Sequence, residues 1–136
     1  MRTLNILLVE DDEVDVMNVQ RSFKKNNISN PLYVAGNGVE ALEMLRSGAV
    51  PGQNRLILLD INMPKMNGIE FLRALRADPA LRTSPVVVLT TSNDDKDRME
   101  SFELNVAGYL LKPVTFNSFV ELMLALNKYW MLVEMP

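Results

Sequence analysis

The chain has 136 residues, 48% hydrophobic and 23% charged, and its seventeen acids and fourteen bases give a net charge of −3. That suffices for one domain around a single core, and an acid excess with no basic block leans away from nucleic acid as a direct partner. Cysteine and histidine are both absent, which excludes disulfides, thiolate or histidine metal sites, histidine-based catalytic triads and a phosphohistidine carrier role.

The opening "MRTLNILLVEDD" lacks a signal-peptide layout, and no apolar run approaches the ~20 residues of a membrane span. A cytoplasmic location without a membrane partner is therefore expected. The first predicted strand, "LNILLV" (4–9), stops in four consecutive acids, Glu10, Asp11, Asp12 and Glu13. Val16, Val19 and Phe23 follow at helical spacing. A second strand, "LYVA" (32–35), leads to a helical stripe of Val39, Leu42 and Leu45. The third strand, "LILL" (56–59), ends at Asp60. After it comes "NMPKMNG" (62–68), in which Pro64 lacks a backbone donor and Gly68 permits a left-handed or tight conformation.

Ile69, Leu72 and Leu75 mark the next helix, and "DPALRTSP" (78–85) breaks the chain before the fourth strand, "VVVL" (86–89). That strand ends in Thr90 and Thr91. A thin stripe of Met99, Phe102 and Val106 precedes the fifth strand, "YLL" (109–111), which runs into Lys112 and Pro113. The first, third and fourth strands are nearly continuous in apolar residues, as expected of strands covered on both faces of a parallel sheet. The predicted architecture is α/β: a (βα)5 doubly wound, five-stranded parallel sheet in one domain. Ligands of such sheets sit beyond the carboxyl ends of the strands.

Those ends carry Glu10 and Asp11, Asp60, Thr90, and Lys112. Taken singly, each has a bland reading: a strand-end Asp is more often a turn residue or cap, a lone Lys is solvated, and a Thr in "VVVLTTS" is strand. Together they make a chemical set. Carboxylates without histidine suit a hard cation such as Mg2+, which takes oxygen ligands and bridges to phosphate. Asp60 could then attack a phosphoryl group, and Mg2+, Lys112 and Thr90 would offset the charge that builds up.

"ILLVEDD", "LILLDINMPKMNGIEFLRALR", "PVVVLTTS" and "GYLLKP" together resemble the receiver domain of two-component response regulators, over nearly the whole chain. The resemblance implies a flavodoxin- and CheY-like fold with strand order 2-1-3-4-5, taken from that fold type and not read from the residues. It implies phosphorylation of Asp60 by a sensor histidine kinase. Asp11 then corresponds to the direct Mg2+ ligand, Glu10 to the acid that holds the ion through water, and the Asn62 backbone carbonyl to the third protein ligand, with Asp60 itself also in the metal set. Thr90 and Lys112 correspond to the switch hydroxyl and the site lysine, and Tyr109 to the aromatic that swings inward on activation. On this view Asp12 and Glu13 only start the following helix. Such a chain is no enzyme toward external substrates; it catalyses only its own phosphorylation and dephosphorylation.

The segment "FNSFVELMLALNKYWMLVEMP" (116–136) is apolar almost all round from Phe119 to Leu126, then adds Tyr129, Trp130 and Met131. Either it folds back as core or it forms a protein interface, where Trp, Tyr, Phe and Met are enriched. We expect an interface, with Phe119, Met123 and Trp130 in a twofold homodimer. The expected division is a receiver over 1–128 and an aromatic, apolar extension over 129–136, with no separate output domain. The output is then protein association. "VVVLTTSN", the 78–85 loop and the Trp-containing tail are similar to the small regulators paired with cyanobacterial phytochromes, which implies a phytochrome kinase. Competing readings are a phosphorylation-independent adaptor of the same fold and a Mg2+-dependent aspartyl phosphatase. The phosphatase would want an acid where Asn62 stands. A flavodoxin would want a hydroxyl-rich loop where the acids 10–13 stand.

Overall fold

The computed structural model describes residues 5–25, 29–52, 54–63, 66–90 and 94–111. Thr91, Lys112, Pro113, Phe119, Met123 and Trp130 lie outside the described residues. In chain order the elements are β1 (Asn5–Val9), α1 (Glu13–Lys25), β2 (Leu32–Ala35), α2 (Gly38–Ser47), β3 (Arg55–Leu59), α3 (Gly68–Ala77), β4 (Val86–Thr90), α4 (Asp95–Glu103) and β5 (Gly108–Leu111). The five strands form one parallel sheet in the order β2-β1-β3-β4-β5, the order that the family resemblance implies.

Successive side chains of a strand point to opposite faces, so each apolar run supplies two cores at once. Leu7, Val9, Ile57, Leu59, Val86 and Val88 face Ala41, Leu42 and Leu45 of α2 and Ile69, Leu72 and Leu75 of α3. Ile6, Leu8, Leu56, Leu58, Val87 and Leu89 belong to the second cluster, which Phe23, Val16 and Val19 of α1 complete. β3 and β4 are buried along their whole length. Fully burying one such leucine contributes roughly 1.5–3 kcal/mol, so the sheet and not helix propensity sets the fold.

Two helical stripes differ from the sequence expectation. In α2 the buried residues are Gly38, Ala41, Leu42 and Leu45, while Val39 is 43% exposed. Val39 stands about 100° round the helix from Gly38, off the inward arc. In α4 the only buried residue is Ser101, whose hydroxyl donates to Asp97 O at 2.7 Å. Met99 lies about 160° round the helix from Ser101, and it and Phe102 are 63% and 51% exposed. Val106 is buried but lies beyond the helix. The inward side of α4 is thus a small hydroxyl, and the apolar stripe faces out.

The lower end of the domain is tied by Arg76, in the last turn of α3. Its Nε donates to Leu104 O at 2.7 Å and its Nη2 to Asn105 O at 3.2 Å. Its Nη1 donates to Arg82 O at 2.8 Å and Ser84 O at 2.7 Å. One planar group therefore joins α3, the loop before β4 and the turn after α4, where Asn105 adopts a positive φ of 61°. We predict that Arg76→Ala lowers stability by about 2–3 kcal/mol in denaturant unfolding, given the usual worth of hydrogen bonds to a charged group. Arg76→Lys should recover less than half of this, because an ammonium cannot span both edges of the fork.

The start of the same loop is set by Asp78. Its carboxylate accepts from Ala80 N at 2.9 Å and pairs with Arg46 Nε at 3.1 Å. The Ala80 N–H, then Arg46, holds the Asp78 carboxyl below the usual aspartate range. A depressed folded-state value gives stability that is present above the unfolded pKa and lost as pH falls through the folded one. Asp78→Asn should therefore flatten the acid limb of a Tm-against-pH curve, and an unchanged limb would count against this role.

Candidate functional site

The sheet ladder continues past two strand ends. Glu10 N donates to Ala35 O and Asp60 N to Val9 O, each at 3.0 Å. These bonds bring the residues that follow β1 and β3 side by side at the rim of an apolar sheet. Glu10 and Asp60 are only 3% and 7% exposed, while Asp11 is exposed. One carboxylate oxygen from each of Glu10, Asp11 and Asp60 lies within 4.8 Å of the other two. The three acids singled out in the sequence are thus assembled by the fold.

The four-acid run divides as its position dictates. Asp12 Oδ1 accepts from Val14 N at 2.8 Å and from Asp15 N at 3.2 Å, and Asp12 O accepts from Val16 N at 3.0 Å. Asp12 therefore caps α1, and Glu13 and Asp15 occupy its first turn, the favourable end of the helix dipole for a carboxylate.

The loop after β3 is held from below. Ile61 and Met63 are buried in the core beneath α2 and α3, while Asn62 between them is exposed. Asn62 N donates to Asp60 Oδ1 at 3.1 Å, which orients the carboxylate. Met63 N and Gly68 N both donate to Ile61 O, at 3.1 and 2.9 Å. The alternation in "DINM" was a usable signal for these two anchors, but sequence reading did not single them out. At the start of α3 an Asn67–Glu70 capping box closes, with Glu70 N to Asn67 Oδ1 at 2.9 Å and Asn67 N to Glu70 Oε1 at 3.2 Å.

Thr90 ends β4 and is fully buried. Leu59 pairs with Val88, so Asp60 and Thr90 stand one and two residues past the last β3–β4 pair. Thr90 pairs with Leu111, the residue before Lys112 in the chain. Tyr109, on β5, is half-buried; its ring lies 6.5 Å from that of Phe102 and 5.5 Å from the Arg98 guanidinium above it.

The donor set fits a hard cation. All three gathered groups are carboxylates, and Mg2+ prefers oxygen at about 2.0–2.1 Å, which puts two ligands of one octahedron roughly 3–4 Å apart. Oxygens within 4.8 Å of one another reach that span with small side-chain shifts. The cluster can therefore hold a metal ion. Among the described residues no helix is long and apolar enough to cross a membrane.

Comparison with known proteins agrees with this geometry. The family described as response regulator receiver domain matches residues 6–124. Response regulator Rcp1 of Synechocystis sp. is 36% identical over 129 residues, covering 93% of this chain and 88% of Rcp1. Among solved structures, a phosphorylated cyanobacterial phytochrome response regulator, RcpA, superposes with a TM-score of 0.79 at 30% identity, covering 99% of both chains. The Mn2+-bound form of Rcp1 gives a TM-score of 0.77 at 36% identity, covering 98% of this chain and 99% of that one. A buried aspartate at the end of the middle strand of a 2-1-3-4-5 sheet, two further acids beside it and a family match along most of the sequence lead to one assignment: the chain belongs to the response regulator receiver domains of two-component systems.

Proposed function

We propose that the chain works as the receiver of a phosphorylation-dependent response regulator. Asp60 accepts a phosphoryl group from a sensor histidine kinase in a Mg2+-dependent reaction, and the phosphorylated state is read through protein–protein association. The observation that carries this reading is the burial of Asp60 at the end of β3, with carboxylate oxygens of Glu10 and Asp11 within 4.8 Å. The similarity to RcpA supports a phytochrome as the kinase.

In the transfer, an Asp60 oxygen forms a P–O bond as the P–N bond of the kinase's phosphohistidine breaks. The electron pair of that bond leaves with the imidazole. Asn62 N–H keeps the carboxylate turned for this attack. Asp11 would hold Mg2+ directly, together with Asp60, with Glu10 acting through water and Asn62 through its carbonyl; the ion would neutralise charge on the phosphoryl oxygens. The Thr90 hydroxyl and the Lys112 ammonium would take up the charge of the acyl phosphate. An inward swing of Tyr109 would give up its contacts with Phe102 and Arg98, coupling the state of Asp60 to the α4–β5 surface. Water attack on the acyl phosphate would reset the switch without any external substrate. We assign the receiver to 1–128, in the cytoplasm, and the extension to 129–136, and give Phe119 and Met123 of the former and Trp130 of the latter to a homodimer interface.

With Mg2+ and acetyl phosphate, the wild type should gain one phosphoryl group by intact-mass spectrometry, and Asp60→Asn should gain none. Light scattering on the same samples should show a change in particle mass; an adduct without one would place the reader in another protein. No adduct from either a small donor or a kinase would put the adaptor reading first. EDTA should abolish the adduct. Asp11→Ala should weaken metal binding at least about tenfold, as loss of a charged ligand does. Asp12→Ala should keep metal affinity within about twofold and cost about 1 kcal/mol of stability as a lost helix cap.

A further inference from the structure

Gly68 opens α3 with no room for a side chain. A Cβ there would stand 2.6 Å from Ile61 Cα, 2.8 Å from the Asp60 carbonyl oxygen and 3.2 Å from Ile61 Cγ1. The two closest atoms are main chain and cannot rotate aside. At Gly38 the obstacle would be the flexible Met66 side chain, and at Gly52 nothing lies within 4 Å. Gly48 is the only glycine with positive φ among the described residues, so Gly68 is needed for space and not for a left-handed turn.

The backbone it touches is held on its other side. Asp60 N is bonded to Val9 O of β1, and Ile61 O accepts from both Met63 N and Gly68 N. The start of α3 is equally fixed, by the Asn67–Glu70 capping box and by buried Ile69, Phe71 and Leu72. Residues 60 and 61 are thus wedged between β1 and the first turn of α3.

We propose that Gly68 is a positioning residue for the phosphoacceptor: its missing side chain lets α3 press directly on the Asp60–Ile61 backbone and so fixes the Asp60 carboxylate against Glu10 and Asp11. This rests on the phosphoacceptor reading above. A methyl group at Gly68 is short of an optimal carbon contact by roughly 1 Å, and a shift of that size in reacting groups costs on the order of 100-fold in rate.

The test compares wild type, Gly68→Ala and Gly52→Ala by Mn2+ titration, by adduct formation with acetyl phosphate and Mg2+, and by metal-free melting. Folded Gly68→Ala should bind Mn2+ at least about tenfold more weakly and form the adduct about 10–100-fold more slowly, while Gly52→Ala matches wild type. Wild-type Mn2+ affinity and adduct rate in a folded Gly68→Ala would overturn the proposal. Should Gly68→Ala not fold, Asn67→Ala loosens the same wedge while keeping the glycine. It should weaken Mn2+ binding about threefold or more, with recovery in Asn67→Ser, a comparable cap. Unchanged Mn2+ affinity in Asn67→Ala would then overturn it. A wild type that forms no adduct defeats the phosphoacceptor reading alone, and the Mn2+ affinities still decide what Gly68 does.

Discussion

Keeping two carboxylates buried at the rim of an apolar sheet is the constraint on which the rest of this molecule depends. Glu10 and Asp60 are almost fully enclosed, and they emerge directly from strands whose other residues are packed on both faces. Burial disfavours ionised acids unless charge and dipoles compensate. The backbone bonds from Glu10 N to Ala35 O and from Asp60 N to Val9 O keep the two acids adjacent, where a divalent cation can serve both. Carboxylates gathered this closely repel one another, and a bound cation would relieve that same repulsion.

Packing divides the molecule by the kind of contact that holds each helix. The strands and α1 to α3 contribute large buried side chains, and α3 adds a closed capping box. α4 buries only Ser101 and is held to α3 through polar links: Arg73 with Glu100 at 3.1 Å, and the Arg76 bonds at its far end. Exposed ion pairs contribute little, with a median of roughly 0–1 kcal/mol. α4 also carries Phe102 and Arg98, which contact Tyr109.

Much of this was legible in the sequence. β2 spans the predicted 32–35, and the other strands fall within one residue of their predicted runs, because parallel strands covered on both faces leave continuous apolar signals. The strand-end acids were legible for the same reason: once the strands were placed, Glu10, Asp11 and Asp60 had to lie along one edge. α4 was misread because a period of apolar residues says nothing about which arc meets the core, and there the core meets a serine. Four consecutive acids could not reveal that Glu10 is buried and Asp11 exposed. Nothing in "FLRALR" sets Arg76 apart from the solvent-facing residues of an amphipathic helix. The demand for space at Gly68 exists only between segments, so no local pattern announces it.

The Arg76 fork also bears on how such a chain can change in length. Its two edges reach Arg82 and Ser84 on one side and Leu104 and Asn105 on the other. An inserted residue between 78 and 85 would carry one pair of carbonyls out of reach of a rigid plane that the other pair still holds. Among the described residues of the α2–β3 connection, Gly48 and Gly52 carry no such tie; both are exposed and have open space where a side chain would go. Insertions and deletions among relatives should therefore collect between α2 and β3, and the segment before β4 should keep its length even where its residues vary.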